Sequence, residues 1–135
     1  MSVTARIRRE ILTKILEGAR ELPKVECCGL LAGSDGVITR AYPATNSLAS
    51  TTAYEIAPEE LFRLLKEIRA AGLQMMGIYH SHPKGENAPS ARDIERAYYP
   101  DGAYLIVSPL PEAPRPVRAF SIRDERVTEL EIQPM

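Results

Sequence analysis

A mixed β-sheet flanked by helices, an α/β sandwich, is predicted by three observations on this chain. Segments with helical spacing alternate with short apolar, strand-like runs; no linker, repeat or composition shift divides the sequence; and its 135 residues suffice for one hydrophobic core. The expected organisation is a single domain over residues 1–135. Hydrophobic residues make up 44% and charged residues 26%, ordinary globular usage that excludes a disordered chain. The protein is expected to fold alone or as a small oligomer such as a homodimer.

From about Ala5 to Leu22, apolar residues at Ile7, Ile11, Ile15, Ala19 and Leu22 recur at helical spacing, and Pro23 closes the helix. Ser2 to Thr4 could instead form a short edge strand. Cys27 to Ala32 is too short and apolar for a typical helix and reads as a buried strand, followed by a Ser34-Asp35-Gly36 turn. Val37 to Tyr42 and Ala53 to Ile56 read as further strands around a polar loop, Asn46 to Thr52. Pro58 then opens a second helix carrying Leu61, Leu64, Leu65 and Ile68, which ends near Gly72.

Met75 to Tyr79 is the next strand and runs into His80-Ser81-His82-Pro83. A polar loop, Lys84 to Pro89, leads to a third helix expected from Ser90 to about Tyr99, stopped by Pro100-Asp101-Gly102. Ala103 to Ser108 is an apolar strand. A proline-rich loop, Pro109 to Pro116, precedes strands at Val117 to Ile122 and Val127 to Ile132, joined by the polar Arg123 to Arg126 turn.

Charge excludes some partners. The 17 Lys and Arg against 18 Asp and Glu leave a formal charge of −1, which supports neither a nucleic-acid surface nor an anionic-membrane surface. No secretory leader and no run near the roughly 18 apolar residues of a membrane span is present, so a cytoplasmic location is expected. Adjacent Cys27 and Cys28 cannot build a disulfide framework and read as small apolar packing residues. Arg6, Arg8 and Arg9 read as a solvated helix surface, and Tyr98 and Tyr99 as packing residues.

The chemistry concentrates in one segment. Residues two apart on a strand project to one side, so His80 and His82 aim both imidazoles at a common point where the strand ends. Pro83 stops the ladder, and the following loop lets Asp93, in the first turn of the third helix, face both rings. Two neutral nitrogens and a carboxylate suit Zn²⁺, and three protein ligands leave a fourth position open, as in catalytic zinc sites. Each signal has a plainer reading: a lone H-x-H is more often structurally satisfied histidine, and Ser90-x-x-Asp93 alone is a helix capping box. Their combination favours the metal, because the chain has only 2 histidines and both fall in this motif.

His80-Ser81-His82-Pro83, seven residues from His82 to Ser90, and then Ser90-x-x-Asp93, resemble the JAMM motif of the JAB1/MPN/Mov34 metallopeptidases at the same spacing. Pro23-Lys24-Val25-Glu26-Cys27-Cys28-Gly29-Leu30-Leu31 resembles the family's glutamate-bearing segment, and Asn46, Tyr54, Pro58 and Leu61 resemble its next strand and helix. The resemblance covers roughly Ile11 to Ser108, with no departure at a motif position, and the chain looks like a compact bacterial or archaeal member. It implies a cytidine-deaminase-like sandwich, one Zn²⁺ per chain held by His80, His82 and Asp93, Glu26 as general acid/base and Ser90 as a donor to the oxyanion. For Glu26, sequence alone offers only its place at the mouth of a buried strand. Ser90 is also a natural N-cap.

Through the resemblance, the implied activity is zinc-dependent hydrolysis of a peptide or isopeptide bond after the Gly-Gly tail of a small ubiquitin-like or sulfur-carrier protein. Three alternatives stand beside it. A metal-binding but noncatalytic MPN-type interaction module is the main one; a zinc deaminase is disfavoured because its H-x-E…P-C-x-x-C signature is absent; and a RadC-like role in DNA repair gains nothing from the near-neutral charge.

Overall fold

The computed structural model describes residues 3–84 and 86–135. Among them the chain runs β1 (Thr4–Ile7), α1 (Arg9–Glu21), β2 (Cys28–Ser34), β3 (Val37–Ala44), α2 (Pro58–Ala70), β4 (Gln74–Ser81), α3 (Ala91–Glu95), β5 (Ala103–Val107), β6 (Val117–Arg123) and β7 (Arg126–Pro134). The strands neighbour one another in the order β1-β3-β2-β4-β5-β6-β7, and β7 returns to β1. The expected mixed sheet with flanking helices is therefore present, and its ladder closes on itself. Closure rests on β1, which pairs in parallel with both β3 and β7.

Four local expectations change. Ala5 and Ile7 belong to a strand rather than to the first helix: their alternation with exposed Arg6 matches the pleat, and Ile7 sits i−4 from Ile11 only by coincidence at the strand–helix junction. Of the alternative edge strand, Thr4 lies in β1 and Ser2 lies outside the described residues. Arg6 thus lies on a strand, while Arg8 and Arg9 mark the start of α1. Ala53 to Ile56 joins no ladder, because the backbone of Ala53 and Glu55 bonds instead to the Asn46 side chain. The third helix stops at Glu95, short of Tyr99, and the Tyr99 N–H donates to the Tyr104 hydroxyl at 2.9 Å.

Both faces of the central strands are buried, which explains their near-continuous apolar runs. Leu31, Tyr79, Leu105 and Ala119 pack with Ile11, Ile15 and Ala19 of α1. Leu30, Ile78, Tyr104, Ile106 and Phe120 pack with Leu64 and Ile68 of α2. Two hairpins turn on left-handed residues: Asp35 (φ 54°) and Gly36 (φ 76°) join β2 to β3, and Asp124 (φ 51°) and Glu125 (φ 63°) join β6 to β7. The α2 face is the one that carries the functional side chains.

Candidate metal centre

His80 lies in β4 and His82 just past its end, alternate positions whose side chains leave the same face. The His82 N–H donates to the Val107 carbonyl at 2.9 Å, so the backbone stays tied to β5 where the chain turns away. Tyr54, from the segment that joins no ladder, stacks on His80 with ring centroids 4.6 Å apart. Across the antiparallel β2–β4 pair, Cys28 stands opposite His80. The pairing continues beyond it, with the Ser81 N–H donating to the Cys27 carbonyl at 3.0 Å and the Cys27 N–H to Ser81 Oγ at 2.9 Å. One further step along this register brings Glu26 beside His82. Ligand atoms of Glu26, His80 and His82 all lie within 4.8 Å of one another.

Asp93 arrives from α3. Ser90 is the N-cap: its Oγ accepts the Asp93 N–H at 3.1 Å, and its own N–H donates to Asp93 Oδ2 at 2.9 Å, a full capping box. The same carboxylate places Oδ1 3.2 Å from His80 Nε2 and Oδ2 3.0 Å from His82 Nε2. Capping and facing the imidazoles are thus roles of one side chain. His80, His82, Asp93 and Glu26 meet at one point, and Ser90 stands at its rim with its hydroxyl proton not consumed by the cap.

The donor set fits a metal ion. Glu86 presents a carbonyl to His82 Nδ1 at 2.9 Å, and a carbonyl can only accept, so Nδ1 carries a proton and, in the neutral ring, Nε2 is bare. That bare nitrogen lies 3.2 Å from His80 Nε2 and 3.0 Å from an Asp93 carboxylate oxygen. Lone pairs converging this closely repel unless a cation, proton or metal, sits among them. Two imidazoles and a carboxylate are the mixture that suits Zn²⁺.

The electrostatics separate the two acids. Glu26 is 3% exposed, its Oε1 has no partner among the described residues, and burial pushes its carboxyl up to about 7 against the opposing pull of His82. Burial acts to raise the Asp93 carboxyl as well, but the two imidazoles against it and the hydrogen bond from the Ser90 N–H hold it well below the usual range. Burial lowers His80, whereas His82 is held above its ordinary value by Asp93 and the Glu86 carbonyl despite its own burial. Burial pushes the Cys28 thiol up to about 12 and raises Cys27 too, which suits packing and not nucleophilic chemistry.

The bracing roles of two asparagines, and the exposure of one tyrosine, were not legible in the sequence. Asn87 is buried, and its Nδ2 donates to the Arg115 carbonyl at 2.8 Å and the Ile106 carbonyl at 3.3 Å, pinning the loop whose Glu86 carbonyl orients His82. Asn46 donates from Nδ2 to the Glu26 carbonyl at 3.0 Å and the Ala53 carbonyl at 2.9 Å, and so ties the Glu26 segment to the one that carries Tyr54. An asparagine in a polar loop looks the same in sequence whether it caps a turn or braces a site. Tyr98, expected to pack, is 73% exposed beside the site, because the shortened α3 leaves it outside the core.

The profile describing prokaryotic homologs of the JAB domain matches residues 8–123. The chain is 44% identical to a desampylase of Haloferax volcanii over 112 residues, which cover 81% of each chain. It is 33% identical to the CysO-cysteine peptidase of Mycobacterium tuberculosis over 125 residues, 91% of this chain and 86% of that one. A solution structure of a Desulfitobacterium hafniense protein superposes with a TM-score of 0.83 at 35% identity, covering 98% of this chain and 92% of the other.

Proposed function

The chain belongs to the prokaryotic homologs of the JAB domain, and on that premise we propose that it is a zinc-dependent peptidase or isopeptidase that cuts after the Gly-Gly tail of a small ubiquitin-like or sulfur-carrier protein. The observation that carries this reading is the convergence of the bare His82 Nε2, His80 Nε2 and the Asp93 carboxylate, with buried Glu26 beside them. Its similarity to a desampylase and a CysO-cysteine peptidase supports the substrate class. In this reading His80, His82 and Asp93 hold one zinc per chain. When bound, zinc supplies Lewis acidity, polarising the scissile carbonyl and acidifying water.

The remaining work falls to the protein. Glu26, buried beside the histidines, accepts the proton of the attacking water and returns it to the departing amine as the C–N bond breaks. The Ser90 hydroxyl donates to the oxyanion of the attacked carbonyl. The Glu86 carbonyl fixes the His82 ring and Tyr54 fixes the His80 ring, so the site is organised before substrate arrives. A Gly-Gly tail suits such a centre because backbone without side chains can bring its carbonyl deep into a narrow channel.

The test incubates zinc-loaded protein with ubiquitin-like proteins that carry a C-terminal extension, in Gly-Gly and Gly-to-Leu versions, and follows the mass of the products. Release of the extension from the Gly-Gly version alone is expected. Equal cleavage of both versions would leave a general metallopeptidase, and absence of any cleavage by a zinc-loaded protein would favour the noncatalytic interaction module.

A further inference from the structure

The peptide group that follows Glu26 is gripped from both sides by side chains. Its carbonyl, that of Glu26, accepts from Asn46 Nδ2 at 3.0 Å, and its N–H, that of Cys27, donates to Ser81 Oγ at 2.9 Å. A regular antiparallel pair at this position exchanges two backbone bonds. Cys27 and Ser81 make one, from the Ser81 N–H to the Cys27 carbonyl at 3.0 Å, and the Ser81 hydroxyl takes the place of the second acceptor. The histidine strand can then veer toward β5, where the His82 N–H donates to the Val107 carbonyl at 2.9 Å, without releasing Cys27. The Glu26 N–H turns the other way, to the Ser50 carbonyl at 2.8 Å. Among the described residues, the Ser81 hydroxyl is thus the last bond that ties the backbone of the Glu26 segment to the strand carrying the histidines.

From this grip, and resting on the proposed hydrolysis, we infer that Ser81 is a positioning residue for Glu26, its hydroxyl fixing the backbone so that the carboxylate stands where it takes the proton of the attacking water. Ser81 lies between the two histidines, so by strand alternation its side chain leaves the sheet on the face opposite theirs, where it is fully buried. It therefore acts on the reaction through the backbone and not by touching substrate. The peptide plane after Glu26 sets the direction of the Glu26 Cα–Cβ bond, and a shift of about 1 Å at a reacting group costs on the order of 10²-fold in rate. A serine hydroxyl suits the place because it accepts from an N–H on a side chain short enough to stand in for a carbonyl. The histidines do not depend on this bond in the same way. From Cys28 opposite His80 onward the β2–β4 ladder holds their strand, and the Val107 carbonyl holds His82. Placement of the base and affinity for the metal are separable at this one side chain.

The experiment compares wild type with Ser81→Ala, which removes the acceptor, and Ser81→Thr, which keeps it. In the zinc-free proteins, exchange of the Cys27 amide proton followed by NMR is expected to speed up by about tenfold or more in Ser81→Ala and to return toward the wild-type rate in Ser81→Thr. In the zinc-loaded proteins, cleavage of a C-terminal extension after the Gly-Gly of a ubiquitin-like protein is expected to lose about 10- to 100-fold in kcat in Ser81→Ala, with KM and zinc affinity within about twofold of wild type. Because Ser81 acts through Glu26, Ser81→Ala added to Glu26→Gln should lower kcat by no more than about a further twofold. Should the alanine protein not fold, Ser81→Cys, whose sulfur is a weak acceptor, is read in its place under reducing conditions. Unchanged exchange of the Cys27 amide, a loss of zinc affinity that matches the loss of kcat, or an undiminished loss in the Glu26→Gln background would overturn the inference while leaving the proposed hydrolysis standing. No cleavage by the zinc-loaded wild type would instead sink the hydrolysis itself and with it this role for Ser81.

Discussion

The proposed site is assembled from two arms that differ in how they are built. The proposed ligand arm, His80 to Asp93, is continuous in sequence: a strand end, a turn and a capped helix turn bring its three side chains together. The arm that carries Glu26, the proposed base, has no such continuity. Glu26 precedes β2, is held by the Asn46 side chain and by a 2.8 Å bond from its N–H to the Ser50 carbonyl, and reaches His82 only because β2 pairs with β4. The ligand arm can therefore be specified locally, whereas the base arm exists only in the completed sheet. The arms should also fail differently, the first through metal affinity and the second through turnover.

The largest expected difference comes from cutting each arm at its centre. His82→Ala or Asp93→Ala is expected to abolish zinc binding, measured by metal analysis of purified protein and by loss of the thermal stabilisation that added zinc gives the wild type. Zinc retained at wild-type affinity in either variant would refute the ligand assignment. Glu26→Gln is expected to keep zinc and fold while kcat falls by about 10²- to 10⁴-fold, the usual worth of a positioned acid/base. Near-normal turnover in this variant would place the base elsewhere.

A smaller effect separates the arms without metal. Because burial raises the Glu26 carboxyl to about 7, the folded protein binds more protons than the unfolded chain between the ordinary carboxylate value and pH 7. Stability of the zinc-free wild type should therefore fall as pH rises through that window, by at most about 3 kcal/mol at neutral pH. Glu26→Gln should lack this part of the decline. Parallel denaturant midpoints for the two proteins from pH 5 to 8 would show that the carboxyl is not buried as described.

The finest comparison uses the two bracing asparagines. Asn87→Ala should weaken zinc binding by about tenfold, the lower end for loss of an outer support to a ligand, because the Glu86 carbonyl loses its anchor. Asn46→Ala removes the Nδ2 bonds to the Glu26 and Ala53 carbonyls and should cost roughly 2 kcal/mol of stability and lower turnover, with zinc affinity preserved. If Asn46→Ala weakens zinc as much as Asn87→Ala does, the arms are not independent.

Legibility in the sequence follows the same division. His80, His82 and Asp93 could be read because alternation along a strand and a helix cap are rules of local geometry, and the capping box at Ser90 was visible for the same reason. The helix over Pro58–Ala70 and the strand ending at Ser81 were likewise local patterns. Local spacing failed at Ala5 and Ile7, which sit at helical intervals from Ile11 yet join a strand, because β3 and β7 offer them a ladder that no neighbour in sequence announces. It failed again at Ala53 to Ile56, strand-like residues whose backbone bonds go to Asn46 and Ser47 of the neighbouring loop.

By itself, then, the sequence singled out His80, His82 and Asp93 as the proposed ligands, the order of most elements and the resemblance to a family, all of which depend on residue type and short spacing. Only the tertiary structure decided that Glu26 stands beside His82, that Asn46 and Asn87 brace the two arms, and that Arg92 and Arg96 border a cleft beside Asp93 without an ion pair among the described residues. Those relations depend on strand register and on what burial leaves unpaired, and both are properties of the packed sheet rather than of any stretch of chain.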